Sequence, residues 1–207
     1  MRHRRKGRKL GRNPNHQRAL LRNLASALIL TTRDGEFERE LAAKDPTLPK
    51  PPKVKGRIIT TLQKAKEVRP LVERCVTLAR NALPALQAAD KLEPASERGS
   101  DAWRSWRASE QYAEWNKTIA PVVAARRKAL QLLGDKQAVR LLFDEVAPQF
   151  ADRPGGYTRV LKLAAPRLGD AGARAILEFV GKNDRVRKAA GPRPSFESDE
   201  SASVAAE

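Results

Sequence analysis

The sequence predicts an α+β protein in which helices pack against a small sheet that includes a C-terminal hairpin. Apolar residues recur at helical spacing through most of the first two thirds of the chain, and short β-leaning runs follow near its end. A chain of 207 residues, 41% of them hydrophobic, is large enough to bury a core. We expect a disordered basic arm over 1–12, a single domain over 13–185 and a disordered tail over 186–207.

The first elements are a flexible arm and a helix. Residues 1–12 hold seven basic side chains and, after Met1, one large apolar residue, so they bury too little surface to become ordered without a polyanion. Asn13 is a typical N-cap with Pro14 at the first helical position, and the apolar spacing predicts a helix from Pro14 to about Leu30. Arg18 and Arg22 lie four residues apart on one flank of its apolar stripe.

A surface segment, a strand and a second helix follow. Residues 31–56 are first acidic and then rich in proline, which is typical of a surface excursion. Residues 57–60 resemble a short strand, and apolar residues at helical spacing predict a helix over 62–80. Pro70 is expected to kink or break that helix.

The segment 82–121 holds all three tryptophans of the chain. Ser100 can cap a helix over 101–117, on which Trp103 and Trp106 would share one face while Tyr112 and Trp115 share another. These aromatic residues could stack on nucleic acid, but we favour packing against the body of the protein, because tryptophans at helical spacing are usually buried.

Further helices and a hairpin complete the prediction. A helix over 122–133 ends at Gly134, and Asp135 can cap another helix that continues to about residue 147. The β-leaning runs 157–163 and 175–180, separated by a long loop, are typical of a hairpin.

Composition excludes several classes of protein. No run approaches the roughly 20 apolar residues of a membrane-spanning helix. One cysteine, Cys75, and two histidines are too few for a disulfide scaffold or a zinc cluster. The charged N-terminus lacks the apolar core of a secretion signal, so we expect a cytoplasmic protein.

The positive charge is concentrated rather than spread. The formal net charge is +17, and residues 1–30 contain nine basic and no acidic side chains. The segments 1–30, 57–81, 122–150 and 151–185 together carry +18, whereas the rest of the chain carries −1. Such a basic surface favours a polyanionic partner, because binding phosphates releases condensed counterions.

A second candidate site is the segment Arg153-Pro154-Gly155-Gly156-Tyr157-Thr158-Arg159. Its glycines could let the backbone approach an RNA partner, with Tyr157 stacking on a base and Thr158 bonding a phosphate. The alternative is a flexible lead-in to a strand, with Tyr157 in the core.

The sequence contains no recognisable group of catalytic residues. Cys75 lies on an apolar stripe, and the carboxylates are scattered along the chain. We therefore expect no enzyme activity, no metal, no cofactor and no small-molecule substrate.

Several ordered motifs resemble the bacterial large-subunit ribosomal proteins numbered seventeen. The opening is similar at Met1-Arg2-His3-Arg4, Arg12-Asn13, His16 and Arg22-Asn23-Leu24-Ala25. The later motifs are Ile59-Thr60-Thr61-Leu62-Gln63-Lys64-Ala65-Lys66-Glu67, Leu142-Phe143-Asp144-Glu145, Ala147-Pro148-Gln149-Phe150, Gly155 to Arg159, Gly169-Asp170 and Ile176 to Val180. They fall in the basic segments that the charge count separates, whereas 31–56 and 82–121 resemble insertions, and Gln63 stands where the family often has proline.

The resemblance implies a structural protein that binds large-subunit ribosomal RNA near the polypeptide exit side and contacts neighbouring ribosomal proteins. The near-neutral insertions would point away from RNA. The residues that would bind RNA are Arg2, His3, Arg4, Arg5, Lys6, Arg8, Lys9, Arg12, Asn13, His16, Arg18, Arg22, Lys64, Lys66, Arg153, Gly155, Gly156, Tyr157, Thr158 and Arg159. The alternatives are a free DNA- or RNA-binding chaperone or regulator, and an RNA-processing enzyme, for which no converging catalytic groups are visible.

Overall fold

The computed structural model describes residues 7–33, 52, 54–94 and 96–181; most of these residues are helical, and a small sheet lies toward the C-terminal end of the described part. The helices are α1 (Pro14–Leu30), α2 (Leu62–Asp90), α3 (Asp101–Arg107), α4 (Glu110–Leu133), α5 (Lys136–Leu141) and α6 (Ala147–Gln149), with a π-helical turn at Leu142–Val146. The strands are β1 (Arg57–Thr61), β2 (Thr158–Lys162) and β3 (Arg174–Phe179). The α+β class is confirmed. Most of the predicted insertion 31–56 and the whole tail 186–207 lie outside the described residues.

Helix α1 has the predicted boundaries. Asn13 Oδ1 accepts a hydrogen bond from Asn15 N at 2.8 Å, and Pro14 occupies the first helical position, where no intrahelical N–H is needed. The buried face of the helix carries Ala25, Leu28 and Ile29. The predicted helix and its cap are confirmed.

Helix α2 is longer than the sequence predicts and passes through both of its prolines. It spans 29 residues, about 43 Å at the usual helical rise, and contains Pro70 and Pro84. A break at Pro70 is therefore wrong. Both prolines are exposed, so water can solvate the carbonyls that lose a partner, while the buried Val68, Val72 and Val76 hold the opposite face in the core.

The tryptophan segment forms two helices where one was predicted. Ser100 Oγ accepts a hydrogen bond from Trp103 N at 3.2 Å, which confirms the cap. However, α3 ends at Arg107, because Ser109 Oγ donates to Trp106 O at 2.6 Å and the chain turns there. The predicted end at Lys117 is wrong, as is a separate helix from Val122, because α4 runs without a break from Glu110 to Leu133.

That turn also changes where the aromatic rings lie. Trp106 contacts Tyr112 and Trp115 across it, with ring centroids 5.1 and 5.7 Å apart, so the predicted separation onto two faces is wrong. Trp106, Tyr112 and Trp115 pack against each other, and Trp103 lies beside the guanidinium of Arg107. All four residues are partly exposed and lie outside the main core. The predicted packing against the body is therefore replaced by a local cluster.

Two local signals determine how α4 ends and α5 begins. Gly134 has φ +77°, the left-handed conformation that terminates helices and that glycine adopts without strain. Asp135 Oδ1 then accepts hydrogen bonds from Gln137 N at 2.8 Å and Ala138 N at 3.4 Å. Both predictions are confirmed, but the regular helix expected to continue gives way to the π-helical turn, which buries Leu142, Phe143 and Val146.

The three strands form an antiparallel sheet in the order β1–β3–β2. Arg57 and Arg159 both lie opposite Glu178, and Ile59 and Leu161 both lie opposite Ile176. The predicted strand at 57–60 and the predicted hairpin are confirmed. One face of the sheet packs on the helices through buried Ala175 and Leu177, whereas Ile59 and Leu161 on the other face are exposed.

Candidate nucleic-acid interface

The described end of the basic arm lies against α1 and α2. Gln17 Nε2 donates a hydrogen bond to Gly11 O at 2.7 Å. Gly11 has φ +119°, and a Cβ at this position would lie 3.4 Å from the His16 ring. A Cβ on Gly7 would lie 3.3 Å from Glu67 Oε1 of α2. The arm therefore approaches both helices closely at glycines, as close backbone contacts require.

Basic side chains of the arm project from this position. Arg8, Lys9 and Arg12 are all exposed, as are Asn13 and His16 at the start of α1. Of the predicted RNA-binding residues, Arg2, His3, Arg4, Arg5 and Lys6 lie outside the described residues.

The exposed flank of α1 continues this basic surface. Asn15, Arg18, Arg22 and Asn23 line one wall of a groove of about 480 Å³, and Leu133 and Gly134 form the opposite wall. Arg22 Nη2 donates to Gln131 O at 3.0 Å, and Ser26 Oγ donates to Leu133 O at 3.3 Å. These bonds satisfy carbonyls at the end of α4, so Arg22 fixes the groove as well as charging it.

Lys64 and Lys66 lie on the first turns of α2. Lys66 is exposed, whereas Lys64 is half-buried in a second groove of about 440 Å³. Arg167 and Arg174 line that groove as well, and sequence analysis missed both. Arg174 reaches this groove because the strand register places it opposite Thr61 of β1.

Arg167 is held in the hairpin loop by an ion pair with Asp170. The hydrogen bonds from the Arg167 guanidinium and from the backbone N–H of Gly172 hold the pKa of Asp170 well below its usual range.

Tyr157 and Thr158 are buried, in contrast to the side chains of the arm. The Tyr157 ring is fully buried, with its centroid 5.2 Å from that of Phe150. Thr158 Oγ1 donates to Glu73 Oε1 at 2.6 Å, and the backbone N–H groups of Tyr157 and Thr158 donate to the same carboxylate. The structure thus gives these two residues the alternative packing role, because a buried ring and a paired hydroxyl are not presented to a base or a phosphate.

The flanking arginines are also held by the protein. Arg153 Nε donates to Gly155 O at 3.3 Å, and Arg80 Nη1 donates to Arg153 O at 2.6 Å. Arg159 Nε and Nη2 both donate to Glu178 Oε1, at 2.9 and 2.6 Å. The loop at Gly155 and Gly156, where Gly156 has φ +65°, is thereby tied to α2.

Glu178, which lies in the motif Ile176 to Val180 but received no predicted role, is a buried carboxylate. Its side chain is 5% exposed and lies between Arg57 and Arg159, with Arg57 Nη2 at 2.6 Å from Oε2. The opposite charges of the arginines compensate for its burial. The three residues form a row across the sheet that fixes the orientation of the two guanidinium groups.

The sequence-predicted residues fall into two groups on the molecule. The described end of the arm lies near Glu67 of α2, whereas the glycine loop is tied to Arg80. Glu67 and Arg80 are separated by about 20 Å along α2. The fold therefore holds the arm against α1 and α2 and places the glycine loop at a distance from the described end of the arm.

The described residues contain no catalytic or metal-binding constellation. Cys75 is fully buried, and burial raises the pKa of its thiol to about 11, so the reactive thiolate is disfavoured at neutral pH. Within the same part of the chain no group of His, Cys, Asp and Glu side chains could hold a metal ion. None of the described helices is long and apolar enough to cross a membrane.

Comparisons with known proteins point to one family. The family model described as ribosomal protein L17 matches residues 54–180. The large ribosomal subunit protein bL17 of Rhodopirellula baltica is 60% identical over 199 residues, which cover 96% of this chain and 90% of the relative. The bL17 protein of Nitratidesulfovibrio vulgaris is 36% identical, covering 93% and 97%, and that of Halothermothrix orenii is 33% identical, covering 84% and 96%.

Proposed function

Because this chain belongs to the ribosomal protein L17 family, we propose that it is a structural constituent of the large ribosomal subunit that binds large-subunit ribosomal RNA. The single observation that supports this RNA-binding surface is the continuous run of exposed basic residues from the arm onto α1. Arg8, Lys9, Arg12, Arg18 and Arg22 are all exposed, and residues 7–30 contain no acidic side chain.

The physical basis is phosphate neutralisation by a partly preorganised surface. Each lysine or arginine that contacts a phosphate releases condensed counterions, which makes the affinity depend strongly on salt. Helix α1 holds Arg18 and Arg22 one turn apart, and the bond from Arg22 to Gln131 O fixes the groove beside them. Exposed asparagines at positions 13, 15 and 23 can contact phosphate and sugar oxygens.

The other predicted residues have different parts in this proposal. Arg2, His3, Arg4, Arg5 and Lys6 extend the run toward the N-terminus, and Lys64 and Lys66 widen it at the start of α2. Gly155 and Gly156 offer backbone to a second, separate contact beside Arg153. Tyr157 and Thr158 support that loop from within the protein rather than touching RNA, whereas Arg159 is exposed and its guanidinium is held by Glu178.

This proposal assigns the chain no catalytic activity, no cofactor and no small-molecule substrate. Its location would be the cytoplasm, in the ribosome, and its further partners would be neighbouring large-subunit proteins. The domain limits are part of the same proposal: a basic arm over 1–12, one domain over 13–185 and a tail over 186–207.

The experiment is sedimentation of large subunits through sucrose gradients at rising salt, with two triple variants of equal charge change. Arg8→Ala, Arg12→Ala and Arg18→Ala together remove three exposed cations of the proposed surface. Arg98→Ala, Arg104→Ala and Lys117→Ala together remove three exposed cations from the tryptophan segment.

We expect the first variant to leave the subunit at lower salt than the wild type and the control variant to behave as the wild type. On purified RNA, the slope of log K against log salt should fall by roughly 2 to 3 for the first variant. Equal behaviour of the two variants would refute the proposed surface. A wild-type chain that stays in the light fractions while normal subunits form would refute the ribosomal function.

A further inference from the structure

A shallow groove between α4 and α5 has an aliphatic floor, and we call it the aliphatic groove. Its floor is formed by Val123, Leu130 and Val139, and its volume is about 230 Å³. Val123 and Leu130 are 37% and 36% exposed, so the fold leaves two aliphatic side chains of α4 in contact with water. They lie seven residues apart, on the same face of the helix. An exposed apolar surface with a polar rim is typical of an interaction site.

The rim of the aliphatic groove is basic. Arg126, Arg127 and Lys136 line it, and none of the described acidic residues does. Arg126 Nη2 lies 3.6 Å from Asp144 Oδ1, whereas no carboxylate in the described part of the chain forms an ion pair with Arg127 or Lys136. All three basic side chains are exposed. The groove therefore favours an anionic ligand that also carries an apolar group.

RNA matches the rim of this groove but not its floor. Phosphates pair with arginine and lysine, whereas a backbone of phosphates and sugars offers no apolar side chain to Val123, Leu130 and Val139. Placing polar groups against aliphatic side chains costs free energy when their hydrogen bonds to water are lost. A peptide that carries an apolar side chain beside carboxylates matches both the floor and the rim.

The chain itself contains a segment of this composition, residues 195–207, which we call the acidic stretch. It has four acidic and no basic side chains, in a protein whose formal net charge is +17. Its one aromatic residue, Phe196, directly precedes Glu197, and Asp199 and Glu200 follow within four residues of the ring. The acidic stretch lies outside the described residues, so its charge and its apolar anchor are read from the sequence alone.

The described part of the chain ends within reach of the aliphatic groove. Gly181, the last described residue, lines a cleft together with Pro148 of α6. Pro148 is nine residues from Val139 along the helical run 136–149, which is about 14 Å at the usual rise. The 15 residues 182–196 can span up to about 50 Å. The length of the chain therefore lets Phe196 reach the floor of the groove.

We propose that the aliphatic groove binds the acidic stretch of the same chain. The Phe196 ring packs on the aliphatic floor, and the carboxylates that follow it face the cations of the rim. Because the two partners are tethered, their effective concentration is high and a weak contact is sufficient. The contact covers Val123 and Leu130 while the protein is free. It does not rest on the proposed function, because both partners belong to one chain.

The test is paramagnetic relaxation in NMR spectra of the full-length chain. Ser201→Cys places a reactive thiol in the acidic stretch, and the native Cys75 does not compete for a thiol-directed spin label because it is fully buried. The same protein with a diamagnetic label is the reference. We expect the strongest broadening of backbone amide signals, apart from the sequence neighbours of the label, within residues 123–139. Raising the salt from about 0.1 M to about 1 M should weaken it, since the Debye length falls from about 10 Å to about 3 Å.

Matched variants separate the apolar and the ionic parts of the contact. Phe196→Ala keeps every charge of the acidic stretch and should abolish the broadening at the groove, whereas diffuse attraction between opposite charges would survive it. Arg127→Ala with Lys136→Ala removes two exposed cations of the rim and should also abolish it. Arg98→Ala with Lys117→Ala removes two exposed cations elsewhere on the protein and should leave the broadening unchanged. None of these side chains belongs to the hydrophobic core, and the amide spectrum of each variant verifies its fold.

Three results would overturn the inference. The first is broadening confined to the sequence neighbours of the label, which would leave the groove to RNA or to another protein. The second is stronger broadening on the arm or on α1 than at the groove, which would mean that the acidic stretch follows the densest positive charge. The third is broadening at the groove that survives Phe196→Ala or the double variant of the rim. Absent broadening with intact co-sedimentation on large subunits would remove this inference alone and leave the proposed function standing.

Discussion

Replacing Glu73 by alanine should destabilise the protein and release the loop that precedes β2. This carboxylate accepts three hydrogen bonds: from Tyr157 N at 3.1 Å, from Thr158 N at 2.9 Å and from Thr158 Oγ1 at 2.6 Å. Tyr157 is fully buried and Thr158 is 3% exposed, so water cannot replace the lost acceptor without opening the structure.

The expected loss in the free energy of unfolding follows from the number of hydrogen bonds that Glu73 accepts. A hydrogen bond to a charged group contributes roughly 1.5–3 kcal/mol. The Glu73 side chain is 20% exposed and loses hydration on folding, so about 1 kcal/mol for each of its three bonds is the appropriate scale. We therefore expect the free energy of unfolding to fall by about 3 kcal/mol, which is a large part of the stability of a typical domain.

The assay is urea unfolding followed by circular dichroism, with Glu114→Ala as the matched control. Glu114 is an exposed glutamate within a helix, so its replacement should change the free energy of unfolding by less than about 0.5 kcal/mol. Thr158→Val should cost about 1 kcal/mol alone and almost nothing in the Glu73→Ala background. If Glu73→Ala is as stable as Glu114→Ala, the carboxylate does not hold this loop.

Three further predictions concern stability. Glu178→Ala should cost about 2 kcal/mol in urea unfolding, because two guanidiniums lose their shared carboxylate; a loss under about 0.5 kcal/mol would show that the ion pairs contribute little. Between pH 9.0 and about 11 the wild type should lose stability, because the Cys75 thiol ionises in the unfolded chain at a lower pH than in the folded protein. Cys75→Ala lacks this thiol, so its stability should rise relative to the wild type over the same range. Parallel pH profiles of the two proteins would contradict this. Pro70→Ala should raise the melting temperature by restoring a helical hydrogen bond on an exposed face, whereas a lower value would mean that the ring packs usefully.

The parts of the fold that the sequence predicts well depend on local chemistry. Asn13, Gly134 and Asp135 act on backbone groups within a few residues, so their caps could be recognised without knowing the rest of the fold. A break at Pro70 is wrong because the effect of a proline depends on which side of the helix faces solvent. The turn at Ser109 was missed because its hydroxyl makes one short bond to Trp106 O that no periodicity signals.

The same distinction between local signals and long-range contacts applies to the candidate site. The basic arm is visible in the sequence because its charges are consecutive, and its described lysine and arginine side chains are exposed. The burial of Tyr157 depends on Phe150 and on Glu73, which lies 84 residues away in the chain. Glu178 pairs with Arg57 across 121 residues, a relation that only the strand register reveals.

The strand order has a consequence for how this chain folds during its own synthesis. The central strand of the sheet, β3, is the last of the three to be made, so β1 and β2 have no neighbour until residues 174–179 leave the exit tunnel. The helices can form early from local contacts, but the sheet closes only by bringing together segments more than 100 residues apart. A nascent chain stopped before Arg174 would leave both strands unpaired, and unpaired strand edges promote aggregation.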